Sequence, residues 1–168
     1  MNSFDKVIGY KSIKRELLQI CDMIRNRTIY EKMGARLPHG LLLYGDPGLG
    51  KSLLANCFME ECGLNTVTVR RDKGGDAFIN SIAQAFAKAK EEAPSVLLLD
   101  DMDKFANEDS SRCDAPEYVA VQAGIDDVKE TAVFVIATAN EIRKLPDSLC
   151  RSGRFDRKIR IQPPTAAD

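Results

Sequence analysis

Tryptophan is absent, and histidine occurs once, at His39. A single imidazole excludes an HExxH metalloprotease and argues against an ordinary Ser-His-Asp hydrolase. The five cysteines (Cys21, Cys57, Cys62, Cys113 and Cys150) form no CxxC pair. With one histidine beside them they offer no zinc set, and they read as reduced, mostly buried thiols. No run approaches the ~18 apolar residues of a membrane span. The opening from Met1 to Tyr10 lacks the basic and apolar regions of a signal peptide. An excess of one charge is missing too, since 24 Lys plus Arg face 25 Asp plus Glu for a net charge of −1. That balance argues against a chain that holds nucleic acid or an anionic membrane by bulk electrostatics. What remains, in 168 residues with 44% apolar and 29% charged, is one soluble domain expected in the cytoplasm.

Apolar and helical patterns alternate along that domain. Ser12 is placed to cap a helix with Ile13, Leu17, Leu18, Cys21 and Ile24 on one face, running to about Arg27. Leu41 to Tyr44, Val96 to Leu99 and Ala132 to Ala137 are continuous apolar runs of strand length, the pattern of parallel strands covered on both faces. Asn65 to Val69 alternates like a strand, and Lys158 to Ile161 is a short terminal one. Helices are expected over Lys51 to Cys62, Asp76 to Glu92 and Pro116 to Ile125. Phe78 and Phe86 then face the core. The polar stretch Asn107 to Ala115 reads as a mobile loop. Such alternation predicts an α/β fold with a parallel sheet, helices on both faces, and ligands beyond the carboxyl ends of the strands.

The chemistry concentrates at that edge. Gly45-Asp46-Pro47-Gly48-Leu49-Gly50-Lys51-Ser52 fits GxxxxGK[ST] between a buried strand and a helix start. Glycines let backbone N–H groups turn toward a phosphate, Lys51 reaches the β- and γ-phosphates, and the Ser52 hydroxyl is a Mg²⁺ ligand. Asp100 and Asp101 follow the apolar run Leu97-Leu98-Leu99. Successive strand residues point to opposite faces, so Asp100 is expected in the metal shell and Asp101 toward an attacking water. Asn140, after the run Val133 to Ala139, is a candidate for water or γ-phosphate, although an Asn after a strand, taken alone, is usually a turn residue. Arg151, Arg154, Arg157, Lys158 and Arg160 form a run that on its own is a solvated face. Its spacing around Phe155 also suits arginines presented to a phosphate. His39, beside a Pro-Gly break, reads as structural.

Together these residues resemble the AAA+ ATPases, and within them the AAA clade with the FtsH-type protease ATPase domain. Phe4-Asp5-Lys6-Val7-Ile8-Gly9 is similar to that family's FDDVAG, and Gly34 to Gly45 to its GARIPKGVLLVG. Ala137-Thr138-Ala139-Asn140 stands for AATN, and Arg151 to Arg157 for RPGRFDR. The resemblance implies a P-loop NTPase with a five-stranded sheet in the order 5-1-4-3-2. It implies adenine contacts from Val7, Ile8 and Gly9, and nucleotide contacts from Asp46, Pro47, Gly48, Leu49, Gly50, Lys51, Ser52 and Leu53. ATP or ADP with Mg²⁺ is the implied cofactor, and Arg154 and Arg157 are implied to act on a neighbour's nucleotide in a ring, by resemblance a hexamer. Residues 1–168 then form the large α/β subdomain, with the family's C-terminal helical lid and any protease or membrane anchor outside them. Two departures stand out. Asp101 replaces the usual Glu and is one methylene shorter, and Arg70 to Asp76 replaces an aromatic pore loop. They leave open a nucleotide-binding scaffold that hydrolyses slowly. A small-molecule phosphotransferase has no acceptor pocket to recommend it.

Overall fold

Strand composition sorts itself between the middle and the edges of the sheet. The computed structural model describes residues 2–72, 74–106, 115–151 and 153–165. The loop expected over Asn107 to Ala115 falls outside them up to residue 114. Strands β1 (Gly40–Tyr44), β2 (Asn65–Val69), β3 (Ser95–Leu99), β4 (Val133–Ala139) and β5 (Arg157–Arg160) are all parallel. Their order, β2-β3-β4-β1-β5, is the implied one read from the other edge. β3 and β4 are buried throughout and β1 nearly so, whereas β2 and β5 keep exposed polar positions. A central parallel strand contacts a layer on each face and so needs apolar side chains in both directions.

Those layers are α1 (Lys11–Arg25) and α3 (Lys51–Cys62) on one face, and α4 (Gly75–Glu91) and α5 (Pro116–Val128) on the other. Leu41 and Leu43 pack with Leu17 of α1 and Phe58 of α3, while the intervening Leu42 packs with Ile82 of α4 and Ile125 of α5. The strand's two-residue period therefore feeds both cores. A short helix, α2 (Arg27–Lys32), follows α1, and brief 3-10 turns occupy Ser3–Lys6, Met102–Lys104 and Ile142–Lys144. No helix among the described residues is long and apolar enough to cross a membrane.

The start of α1 differs from expectation. Tyr10, not Ser12, precedes the helix, in a left-handed conformation with φ 60° and no side-chain cap. Its hydroxyl donates to the Leu49 carbonyl at 3.0 Å, and its ring is buried. These contacts hold a backbone state that a bulky residue seldom adopts. The helix also stops at Arg25 rather than about Arg27. Asn26 leaves helical geometry there, and its amide donates to Asp22 at 2.8 Å.

The cysteines behave as core. Cys21 of α1 and Cys62 of α3 are buried with their sulfurs 3.2 Å apart, Cys57 is buried as well, and all four described thiols are free. Cys113 lies outside the described residues.

Gly124 marks where α5 meets α4, because a Cβ there would stand 2.3 Å from Cδ2 of the buried Phe86 ring. Alanine gains about 1 kcal/mol of helix propensity over glycine, but overpacking costs about 1–3 kcal/mol. Gly124→Ala is therefore expected to lower the urea midpoint, and a raised midpoint would mean that this contact is not close packed.

Candidate active site

The loop between β1 and α3 is pinned from both neighbouring strands. Gly45 N–H donates to the Ala139 carbonyl of β4 at 3.3 Å, and Ile161 N–H, just past β5, donates to the Tyr44 carbonyl at 2.7 Å. A Cβ on Gly45 would fall 2.2 Å from the Ile161 carbonyl oxygen, so only glycine fits this approach. Gly50, left-handed at φ 79°, opens α3, whose first-turn N–H groups have no intrahelical acceptor. Lys51 is buried, and its Nζ donates to the carbonyls of Gly45 at 2.8 Å and Asp46 at 2.7 Å. Burial lowers its pKa, against the pull of the nearby carboxylates of Asp101 and Asp103. Asp46, Pro47 and Gly48 are exposed, Leu49 and Ser52 half-buried, and Leu53 exposed beside them. Of the leading segment, Val7 is buried and Ile8 is 91% exposed. The hydroxyl of Tyr10 ties that segment to the loop.

Asp100 gathers the site. It lies one residue past β3 and is 1% exposed. Its Oδ1 accepts from the Ser52 hydroxyl at 2.8 Å and the Thr138 hydroxyl at 2.7 Å, and its Oδ2 accepts from Arg70 Nε at 2.9 Å and from a terminal nitrogen of the same guanidinium. Burial pushes the carboxyl up. The hydrogen bonds from Arg70, Thr138 and Ser52 and the Arg70 charge outweigh it and hold the pKa below its ordinary value.

Asp101 diverges from Asp100, but not by strand alternation, since both acids lie beyond Leu99. Its backbone is left-handed at φ 52° and opens the Met102–Lys104 turn, and its carboxylate meets Lys104 Nζ at 3.0 Å. Its N–H donates to Thr138 Oγ1 at 2.8 Å, so one hydroxyl on β4 organises both acids. Asn140 is half-buried just past β4, fixed through its N–H on Asp103 Oδ2 at 3.2 Å.

The arginines are elsewhere. Arg157 opens β5 opposite Leu41, three residues before Tyr44, roughly 10 Å short of the loop at 3.3 Å per residue. Its guanidinium contacts Glu16 of α1, and it is 52% exposed. Arg154, 15% exposed, donates to both carboxylate oxygens of Asp126 at 3.0 and 2.8 Å and to the Ser148 carbonyl at 2.8 Å. Phe155 is fully buried between them. His39 clasps Asp156 through its backbone at 3.0 Å and its Nδ1 at 2.9 Å, a structural role at the edge remote from the loop.

Three residues escaped the sequence reading. Thr138 is the single hydroxyl in the buried run Val133–Ala139, and a buried hydroxyl demands a partner. Arg70 follows Val69, which pairs with Leu99, so it stands beside Asp100 once the β2-β3 register is known. Tyr10 carries no local signal.

Comparison with known proteins places this fold in a family. The family described as "ATPase family associated with various cellular activities (AAA)" matches residues 41–163. The chain belongs to that family. It is 34% identical to the ATP-dependent zinc metalloprotease FtsH of Mycoplasma pneumoniae, over 96% of this chain and 24% of that protein. It is 32% identical to FtsH 2 of Symbiobacterium thermophilum, over 98% of this chain and 30% of that one. FtsH 2 of Thermoanaerobacter sp. is also 32% identical, over 96% and 33% respectively. The chain thus spans about a quarter to a third of the curated relatives it matches. It is an AAA module that binds ATP and acts as an ATPase.

The depressed Asp100 carboxyl has a pH signature. A carboxylate whose folded pKa lies below the ordinary 3.8 contributes stability that is complete above that value and is lost as pH falls through the folded one. Melting curves from about pH 7 to about pH 3 should therefore fall more steeply below about pH 4 in the wild type than in Asp100→Asn, whose amide does not titrate. Parallel curves would contradict the assignment.

Proposed function

We propose that this AAA module is the large α/β subdomain of a ring-forming ATPase, by resemblance a hexamer. In this reading it hydrolyses Mg-ATP and uses the cycle to remodel or unfold protein, working in the cytoplasm whether or not a membrane anchor is attached. The observation that carries the reading is the meeting of Ser52, from the phosphate loop, with Asp100 on one carboxylate oxygen beside the buried Lys51.

The donors fit a hard divalent cation, being hydroxyl and carboxylate oxygens. Ser52 and Asp100 would hold Mg²⁺, which supplies charge neutralisation at the phosphates. Lys51 exchanges the Gly45 and Asp46 carbonyls for the β- and γ-phosphates, residues 46–53 wrap the phosphate chain, and Val7, Ile8 and Gly9 receive adenine. Asp101 and Asn140 orient the water. Arg154 and Arg157 act on the nucleotide of an adjacent subunit, which agrees with their distance from their own loop and with the exposure of Arg157. Arg154 must first release Asp126.

A second reading is favoured by Asp101, which is shorter than Glu and paired with Lys104 at 3.0 Å. In it the module holds ATP to fix an assembly and turns it over slowly. One experiment addresses both readings: phosphate release from Mg-ATP over a wide protein concentration range. The ATPase reading expects a rate that climbs faster than linearly and falls about a hundredfold or more in Lys51→Ala, with Asp101→Glu unchanged or slower. A flat rate that Asp101→Glu raises strongly would favour the scaffold. Phosphate release equal to that of Lys51→Ala at every concentration would contradict an ATPase.

A further inference from the structure

The segment Arg70 to Asp76 has no task in the reaction described above, yet its first residue makes the only charged contact to Asp100 among the described residues. Lys51 is committed to two loop carbonyls and Lys104 to Asp101, while Ser52 and Thr138 bring Asp100 neutral hydroxyls. We propose that Arg70 is a built-in cation that exchanges with the divalent metal at Asp100 and thereby sets the metal dependence of nucleotide binding. The inference rests on Asp100 belonging to the nucleotide site, as proposed above.

Placement comes from strand register. Val69 pairs with Leu99, so residues 70 and 100 leave the sheet side by side, and the Asp100 N–H donates to the Val69 carbonyl at 2.9 Å. Arg70 then delivers two N–H groups to a single oxygen, Oδ2, and leaves Oδ1 to the hydroxyls.

The pair is unequal in exposure. Asp100 is 1% exposed, whereas the Arg70 side chain is 62% exposed. A buried carboxylate without a counter-charge is costly, so Asp100 needs a cation in every state. An exposed guanidinium regains hydration when it swings out, so it can be that cation in one state and leave in another. Arg71 keeps the backbone in place meanwhile. It donates to the Lys104 carbonyl at 2.7 Å, and its guanidinium lies 6.0 Å from the Phe78 ring centroid. Arg70 can thus move as a side chain on a fixed strand end.

A metal entering at Asp100 must displace this charge or bind beside it, and either raises the Mg²⁺ concentration needed. The test follows binding of a fluorescent ATP analogue to the full chain during Mg²⁺ titration, with thermal melting in Mg²⁺ alone as a second readout. Arg70→Gln removes the charge and is expected to lower the Mg²⁺ midpoint by at least about tenfold, the scale of a unit charge close to a divalent ion near the surface. It should also make the nucleotide-free protein less stable without metal and newly stabilised by Mg²⁺ alone. Arg70→Lys, which keeps the charge but not the two-donor geometry, should shift the midpoint clearly less than Arg70→Gln does. Nucleotide binding with an unchanged midpoint in Arg70→Gln overturns the role of Arg70 alone, as does an equal shift in Arg70→Lys. Failure of Arg70→Gln to fold at any Mg²⁺ concentration also overturns it, since metal should replace the lost charge. Wild type that binds no nucleotide at any Mg²⁺ concentration, like Lys51→Ala, overturns the nucleotide site and the inference together.

Discussion

A charged carboxylate buried at the end of a strand is the constraint around which this molecule is arranged. Placed in apolar surroundings alone, Asp100 would cost several kcal/mol. It is tolerated because four parts of the fold converge on it: its own strand β3, the phosphate-loop serine at the start of α3, a hydroxyl from β4, and an arginine leaving β2. Strand order makes that convergence possible. β3 lies between β2 and β4, and β1 lies next to β4, so each donor arrives at the carboxyl edge from its own strand end. Sheet topology and the electrostatics of the candidate site are thus linked, and the hydrogen bonds that hold the Asp100 carboxyl below its ordinary pKa come from the ends of two neighbouring strands and a helix start.

The phosphate loop and the central strands were legible in the sequence because their signals are local. A parallel strand covered on both faces must be a continuous apolar run, and a backbone cradle for phosphate must be rich in glycine. Strand order has no such local signature and came from family resemblance. Features joining distant segments were not legible. Arg70 and Asp100 are 30 residues apart and Arg154 and Asp126 are 28 apart, and nothing in either neighbourhood announces its partner. Tyr10 goes further and violates a local preference, adopting a left-handed backbone because burial and the Leu49 carbonyl hold it there. Asp101 shows the limit of periodic reasoning. The expected divergence of the two acids is present, yet it arises from a turn after the strand and not from alternation along it.

Charge is divided between the two edges of the sheet. At the carboxyl edge, Lys51, Arg70 and Lys104 are each engaged, the first with loop carbonyls and the others with the two acids. At the opposite edge, Arg154 and Arg157 are held by Asp126 and Glu16, away from their own loop. Such a division is in keeping with the proposal of a site half built within one subunit and completed by a cation from another. In that account the ion pairs hold the arginines in place until a neighbour's nucleotide offers more negative charge.

Complementation between two variants tests the proposed sharing of the site. Lys51→Ala keeps its arginines but loses the loop cation, and Arg157→Ala keeps the loop but loses the exposed arginine. Phosphate release is measured for each alone and for their mixture. The mixture is expected to exceed the sum of the two separate rates, because one variant supplies the loop and the other the arginine. A mixture that only equals that sum would contradict that sharing.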